Sequence, residues 1–236
     1  MSSALDSVGQ VSGCEAHIWR LKQGSTLSHG AIGHAAAEES VASRKRTCRA
    51  AVRDRAARIL ARYGVCGPKG WSVQRSVVQS AVDRHSRKAV EFSLAHSGQW
   101  ALLAVVQEAR IGVDIERRRR GFRADDLIRR FFSEREIEGL VALSGAQLEA
   151  AFFRAWVRKE AYLKAVQAGL GVPAGLSRFS VSVDPDDPPK ILETQLEKEA
   201  SSFSLYDLDV PEGYVGALAV EGTRHRVRHL HDVDTE

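Results

Sequence analysis

Two short segments of this 236-residue chain place acidic and basic side chains where they could act together. In Ile111-Gly112-Val113-Asp114-Ile115-Glu116 the apolar positions alternate with period two. As a strand, this segment puts Asp114 and Glu116 on one face and Ile111, Val113 and Ile115 on the other. Trp156-Val157-Arg158-Lys159-Glu160-Ala161-Tyr162-Leu163-Lys164 has helical spacing, which stacks Trp156, Glu160 and Lys164 along one side. If Glu160 meets the strand pair, three carboxylates surround one small volume beside an ammonium. Like charges so placed repel unless a cation neutralises them, and Mg²⁺ suits an all-oxygen donor set. Such an ion takes phosphate oxygens among its remaining ligands, and Lys164 offers the same phosphate a compact positive charge. Taken alone, Glu160 and Lys164 would make an ordinary surface pair worth about 0.3–0.5 kcal/mol. The acidic strand upstream tips the reading toward chemistry.

The elements that must position these groups can be read from periodicity. Val41, Cys48, Val52, Ala56, Ile59, Leu60 and Tyr63 fit a helix over 40–63, with Gly64 as its stop. Gly67-Pro68-Lys69-Gly70 reads as a turn and Trp71 to Gln79 as a strand. Val90, Phe92 and Leu94 mark a strand ending at His96; Ser97-Gly98 turns the chain, and Trp100 to Val106 returns as a buried strand. Gly112 in the next strand is expected to admit a close backbone or ligand approach. Ser133 and Glu136 form a capping-box pattern opening a helix to about Leu143, and Gln147 to Ala168 predicts a longer helix. Strands are expected over Phe179–Val183, Phe203–Leu208 and Tyr214–Val220, with a frayed polar tail from Glu221. Helix, strands, helices and strands in that order predict an α+β fold.

Composition excludes several classes. The chain is 44% hydrophobic and 27% charged, ordinary for a soluble protein, and no apolar run approaches the ~20 residues of a membrane span. The first residues lack the basic start and apolar core of a secretory signal. Cys14, Cys48 and Cys66 are odd in number and widely spaced, which suits a reducing compartment and gives no zinc pattern. A cytoplasmic protein is expected. Net charge is +4, and arginines crowd Arg44 to Arg58 and Arg117-Arg118-Arg119-Arg120. Such runs attract polyanions: nucleic acid, a phosphorylated cofactor or an acidic protein. A nucleic-acid-binding protein is therefore one alternative, although few aromatics interleave the basic runs. A Mg²⁺-dependent nucleotide hydrolase is another.

Together with Phe92-Ser93-Leu94-Ala95-His96-Ser97-Gly98-Gln99-Trp100, the two acidic segments resemble the three ordered motifs of the 4′-phosphopantetheinyl transferases. The resemblance is to the larger monomeric type that serves surfactin synthetase and similar assembly lines, and its motifs span residues 92 to 164. It implies two similar α+β lobes in a pseudo-twofold arrangement with coenzyme A between them. The corresponding divisions are a loose N-terminus (1–15), an N-terminal lobe (16–110), a C-terminal lobe with the metal site (111–220) and a polar tail (221–236). It also implies transfer of phosphopantetheine from coenzyme A to a serine of an acidic apo acyl or peptidyl carrier protein, releasing 3′,5′-ADP. Neither a membrane nor nucleic acid is an expected partner, and the protein is expected to be a monomer.

By the same resemblance Asp114, Glu116 and Glu160 are ligands of Mg²⁺, with Mn²⁺ as an alternative ion. Lys164 contacts phosphate and assists the departing ADP, and His96 binds pyrophosphate. Glu136 matches a glutamate in the role of general base, although the capping box explains Ser133 and Glu136 without catalysis. Arg49 matches an arginine that binds the 3′-phosphate, and a bidentate guanidinium suits that group; Arg44, Arg46 and Arg53 are equally placed to do so. Two departures stand out. Ala95 replaces a serine whose hydroxyl would contact phosphate, so Ser97 or backbone groups must substitute. The family's Gly-Lys-Pro loop before the histidine strand is not recognisable. Lys159, next to Glu160, points off its face and is given no catalytic role.

Overall fold

The computed structural model describes residues 15–23, 41–65, 79–82, 89–119, 121–122, 124–166, 173–184, 186–196, 202–223 and 225–231. The side chains of 41–48, 79–82, 173–174 and 231 are not described. The Gly67–Gly70 turn, most of the strand expected from Trp71, Cys14 and Cys66 lie outside these residues. Within them the order is β1 (Glu15–Lys22), α1 (Val41–Arg62), β2 (Gln79–Val82), β3 (Ala89–Ser97), β4 (Trp100–Gln107) and β5 (Ile111–Arg117). Then follow α2 (Asp125–Phe131), α3 (Glu134–Val141), α4 (Gly145–Ala165), a 3-10 turn at Pro173–Arg178, β6 (Phe179–Val181) and β7 (Ile191–Thr194). The remaining strands are β8 (Phe203–Asp207), β9 (Tyr214–Glu221) and β10 (Arg226–His231).

A five-stranded sheet in the order β10-β1-β4-β3-β2 faces a three-stranded sheet in the order β5-β9-β8. The alternation of β5 sets how the sheets meet. Ile111, Val113 and Ile115 join Ile18, Ala95, Leu102, Ala104 and Val106 of the larger sheet in a core between the two sheets. The larger sheet packs its other face on α1, where Trp19, Val52, Ile59, Leu60, Tyr63, Phe92 and Leu103 are buried together. The smaller sheet packs on α4, burying Phe152, Tyr162, Phe179, Phe203 and Leu205. The layers therefore run helix, sheet, sheet, helix. One connectivity occurs twice: β1 leads through α1 to the pair β3–β4, and β5 leads through α4 to the pair β8–β9. In each half the last strand pairs antiparallel with the first.

Four elements differ from the sequence expectation, one of them the short strand Ile191–Thr194 paired with Phe179–Val181. Glu15–Lys22 and Arg226–His231 are strands, paired with one another in parallel from Glu15↔Arg226 to Arg20↔His231. The stretch read as a frayed tail from Glu221 thus belongs to the edge of the larger sheet, where Val227 and Leu230 reach its two cores. Its arginines and histidines hid the pattern, because only one side chain per face is apolar. A short helix, α2, was also unread; Asp125 and Asp126 open it and Arg129 and Arg130 close it, complementing its dipole.

Candidate functional site

Gly112 decides how the site is assembled. A Cβ there would lie 2.1 Å from the carbonyl oxygen of Ala161 and 2.5 Å from the backbone nitrogen of Ala165. The close approach expected at this glycine is therefore made by the backbone of α4. Pressed onto β5, the helix places Lys164 over the next inward residue: its Nζ donates to Asp114 Oδ1 at 2.7 Å and to the Val113 carbonyl at 3.0 Å. Both partners of this ion pair are 10% exposed.

Glu116 and Glu160 flank that pair. Burial raises the Glu160 carboxyl above its ordinary value and the charge of Asp114 adds to the rise; Lys164 opposes it and Glu116 adds a smaller increment. Burial also raises Glu116, the Ser97 hydroxyl opposes, Asp114 adds, and Arg119 and Lys164 oppose. The three acids thus share one electrostatic field with one ammonium in it, as the motif spacing predicts. They do not converge to coordination distance: among the described residues, no group of three His, Cys, Asp or Glu side chains is close enough to hold a metal ion. Lys164 serves as the cation for Asp114 in this arrangement. The donor chemistry fits a hard divalent ion, because two partly desolvated carboxylates with raised proton affinity are relieved by added positive charge. Binding would require Glu116 and Glu160 to turn toward Asp114.

The β3–β4 hairpin brings residues of the larger sheet to this site. Ser97 Oγ donates to Glu116 Oε2 at 2.7 Å and accepts from the Arg117 backbone N–H at 3.0 Å. Four residues back on the same face, Ser93 Oγ accepts from the Val113 N–H at 3.1 Å. At the tip, Gly98 (φ 54°) leaves room for Tyr214, whose hydroxyl accepts from the Gln99 N–H at 3.1 Å. His96 is half-buried at the end of β3, beside Ser97. Ala95 is buried in the core between the sheets, so the serine missing there removes no solvent-facing hydroxyl. The phosphate contact expected of Ser97 meets a competing use, since its one proton is directed at Glu116. The motif spacing already held this signal: Ser93 and Ser97, four apart in a strand, share a face.

Glu136 is placed elsewhere. It is 1% exposed and closes a capping box with Ser133 at the start of α3. Lys159 Nζ donates to its two oxygens at 2.8 and 2.6 Å, Val181 N–H to Oε1 at 2.8 Å, and Ser133 N–H to Oε2 at 2.8 Å. With both oxygens filled and no exposed face, it has no position for a substrate hydroxyl. The general-base expectation is corrected on this ground, and the capping role with a buried ion pair accounts for the residue. Burial pushes the Lys159 ammonium down to about 8 against the pull of Glu136. Lys159 also donates to the Phe179 carbonyl at 2.7 Å, so it ties α4 to α3 and β6 on the side away from Asp114. Arg49 is exposed on α1, and among the described contacts none joins it to the acidic group. Arg117, the last residue of β5, and Arg118 and Arg119 directly after it are exposed.

Comparison with known proteins bears on the same segment. Residues 110–219 match the family model of the 4′-phosphopantetheinyl transferase superfamily. The 4′-phosphopantetheinyl transferase HetI of Nostoc sp. is 36% identical over 140 residues, covering 59% of this chain and 55% of that protein. A 4′-phosphopantetheinyl transferase of Bacillus subtilis is 35% identical over 120 residues, 51% of each chain. The chain thus spans about half the length of the curated relatives it matches. A solved holo-(acyl-carrier-protein) synthase from Bacillus anthracis in complex with coenzyme A (3′,5′-ADP) aligns with 48% of this chain and 96% of its own. At a TM-score of 0.38 and 23% identity, that likeness is too loose to bear on the site.

Proposed function

We propose that this protein transfers the 4′-phosphopantetheine group of coenzyme A to a serine hydroxyl of an apo carrier protein, with Mg²⁺ as the required ion. The serine oxygen forms a bond to the pantetheine-bearing phosphorus, the bridging P–O bond breaks, 3′,5′-ADP leaves with the bonding pair, and the hydroxyl proton passes to solvent. The observation that carries the reading is the Asp114–Glu116–Glu160 field around Lys164, in a segment that matches the superfamily.

Phosphoryl transfer needs positioning and charge neutralisation more than covalent help from the protein. The bound ion would supply Lewis-acid neutralisation of the diphosphate. Asp114, Glu116 and Glu160 would hold it, and Lys164, freed from Asp114 by the ion, would turn its charge to the phosphate. His96 at the hairpin end adds a second donor for the diphosphate, and Arg49 is retained as the candidate for the 3′-phosphate. The exposed Arg117–Arg119 run fits an acidic carrier protein, and its attraction would screen away with salt. We further infer a cytoplasmic monomer; no described helix is long and apolar enough to cross a membrane.

The test is incubation with coenzyme A, Mg²⁺ and a panel of apo carrier proteins, read by intact mass. The expected result is a carrier heavier by one phosphopantetheine, absent when Mg²⁺ is chelated. Coenzyme A cleaved with every carrier unmodified would replace this reading with that of a nucleotide hydrolase.

A further inference from the structure

We propose that Ser97 is a positioning residue for Glu116: its hydroxyl, carried on the hairpin of the larger sheet, holds a metal-binding carboxylate of the smaller sheet. The inference rests on the transferase reading above.

The hydroxyl has one proton and two acceptor directions. The Arg117 N–H donates to it at 3.0 Å, so its own proton is directed at Glu116 Oε2, 2.7 Å away. The short contact is that of a charge-assisted bond. Glu116 stands near the end of β5, half-buried, on a side chain with three free torsions. A donor at Oε2 selects one orientation and leaves Oε1 for an ion. The donor is itself fixed. Ser93 registers β3 along β5 through the Val113 N–H, and the hairpin tip is seated on Tyr214 through the Gln99 N–H. The acidic group of one half is therefore arranged by an element of the other. Partners that orient metal ligands in this way typically change metal affinity about 10–100-fold when removed.

The experiment titrates Mn²⁺ into the full chain in the presence of coenzyme A, read by electron paramagnetic resonance, alongside turnover as a function of Mg²⁺. Ser97→Ala should weaken Mn²⁺ binding about tenfold and raise the Mg²⁺ requirement equally. Ser97→Thr, which keeps the hydroxyl, should restore the affinity. Ser93→Ala removes a hydroxyl of the same strand that meets only backbone, and should lower the melting temperature while leaving Mn²⁺ affinity within about twofold. Should Ser97→Ala fail to fold, Ser97→Cys, a weaker donor of similar size, gives the same comparison. Mn²⁺ affinity unchanged in the folded variant overturns the proposal, as does an equal loss in Ser93→Ala. A natural protein that binds no Mn²⁺ overturns the metal assignment and this proposal with it. One that binds Mn²⁺ but modifies no carrier overturns the transferase reading, and the affinity of Ser97→Ala still decides the role of Ser97.

Discussion

In the first half of the molecule β1, α1, β3 and β4 enclose a neutral polar cluster; in the second, β5, α4, β8 and β9 follow the same path around charged ones. The neutral cluster centres on Tyr63, whose hydroxyl accepts from Trp19 Nε1 at 2.8 Å and lies 2.8 Å from His17 Nδ1. The phenol donates to Nδ1 when His17 keeps its proton on Nε2, which is buried 3.5 Å from Glu15 without a hydrogen bond to it. Burial lowers the proton affinity of His17 and pushes the Tyr63 phenol well above its ordinary value, which favours the neutral form of each. In the second half, α4 carries Lys159 against Glu136 on one side and Lys164 against Asp114 on another. The contrast teaches that one connectivity serves two ends. Where neutral groups share hydrogen bonds they hold the helix to the sheet, and where like charges are crowded the site stores an unfavourable field that a cation can relieve.

The contrast is tested most severely at Glu160. Glu160→Gln should lower turnover by more than about 100-fold, beyond the loss usual for an outer-shell partner, yet raise the melting temperature of the metal-free protein. A drop in both would mean that Glu160 holds the fold together. Lys159→Met leaves the Glu136 carboxylate buried without its cation and should cost about 3–5 kcal/mol in urea denaturation. Gly112→Ala drives a methyl into the α4 backbone and should cost about 3 kcal/mol, with loss of turnover because Lys164 is displaced. Tyr63→Phe, in the neutral half, leaves two buried nitrogens unsatisfied at about 1–3 kcal/mol and should spare turnover.

The smallest effect separates the halves by sign. The folded carboxyls of Glu116 and Glu160 bind protons more tightly than in the unfolded chain. Acidification from neutral pH toward the ordinary carboxylate range should therefore stabilise the metal-free second half. His17 binds its proton less tightly when folded, so its contribution is present above the ordinary histidine value of 6.5 and is lost as pH falls below it. Removing His17 by substitution to Gln should flatten the acid side of the melting-temperature profile, whereas the double substitution of Glu116 and Glu160 to Gln should steepen it. The same slope in both variants would refute the contrast.

Much of this was legible because the active segments obey their periods. The alternation of 111–116 put Asp114 and Glu116 on the face that meets α4, and four-residue spacing put Glu160 and Lys164 on one side of the helix. The capping box was equally plain, but its second glutamate oxygen partner was not: only packing reveals that Lys159 turns back beneath α3. Strands β1 and β10 escaped because β1 is buried on both faces and so does not alternate, while β10 mixes arginine and histidine with its two apolar residues. The Ser97–Glu116 bond joins positions whose pairing depends on how two sheets stack, which no local pattern encodes.

The parallel pairing of β1 with β10 has a consequence for how the chain is made. Glu15 finds its partner only at Arg226, so an emerging polypeptide exposes the outer edge of β1 until residue 226 has been synthesised. Unpaired edges recruit other strands. Ribosome-bound intermediates arrested before residue 226 should be sticky and protease-sensitive along β1, and emergence of β10 should close that edge in one step.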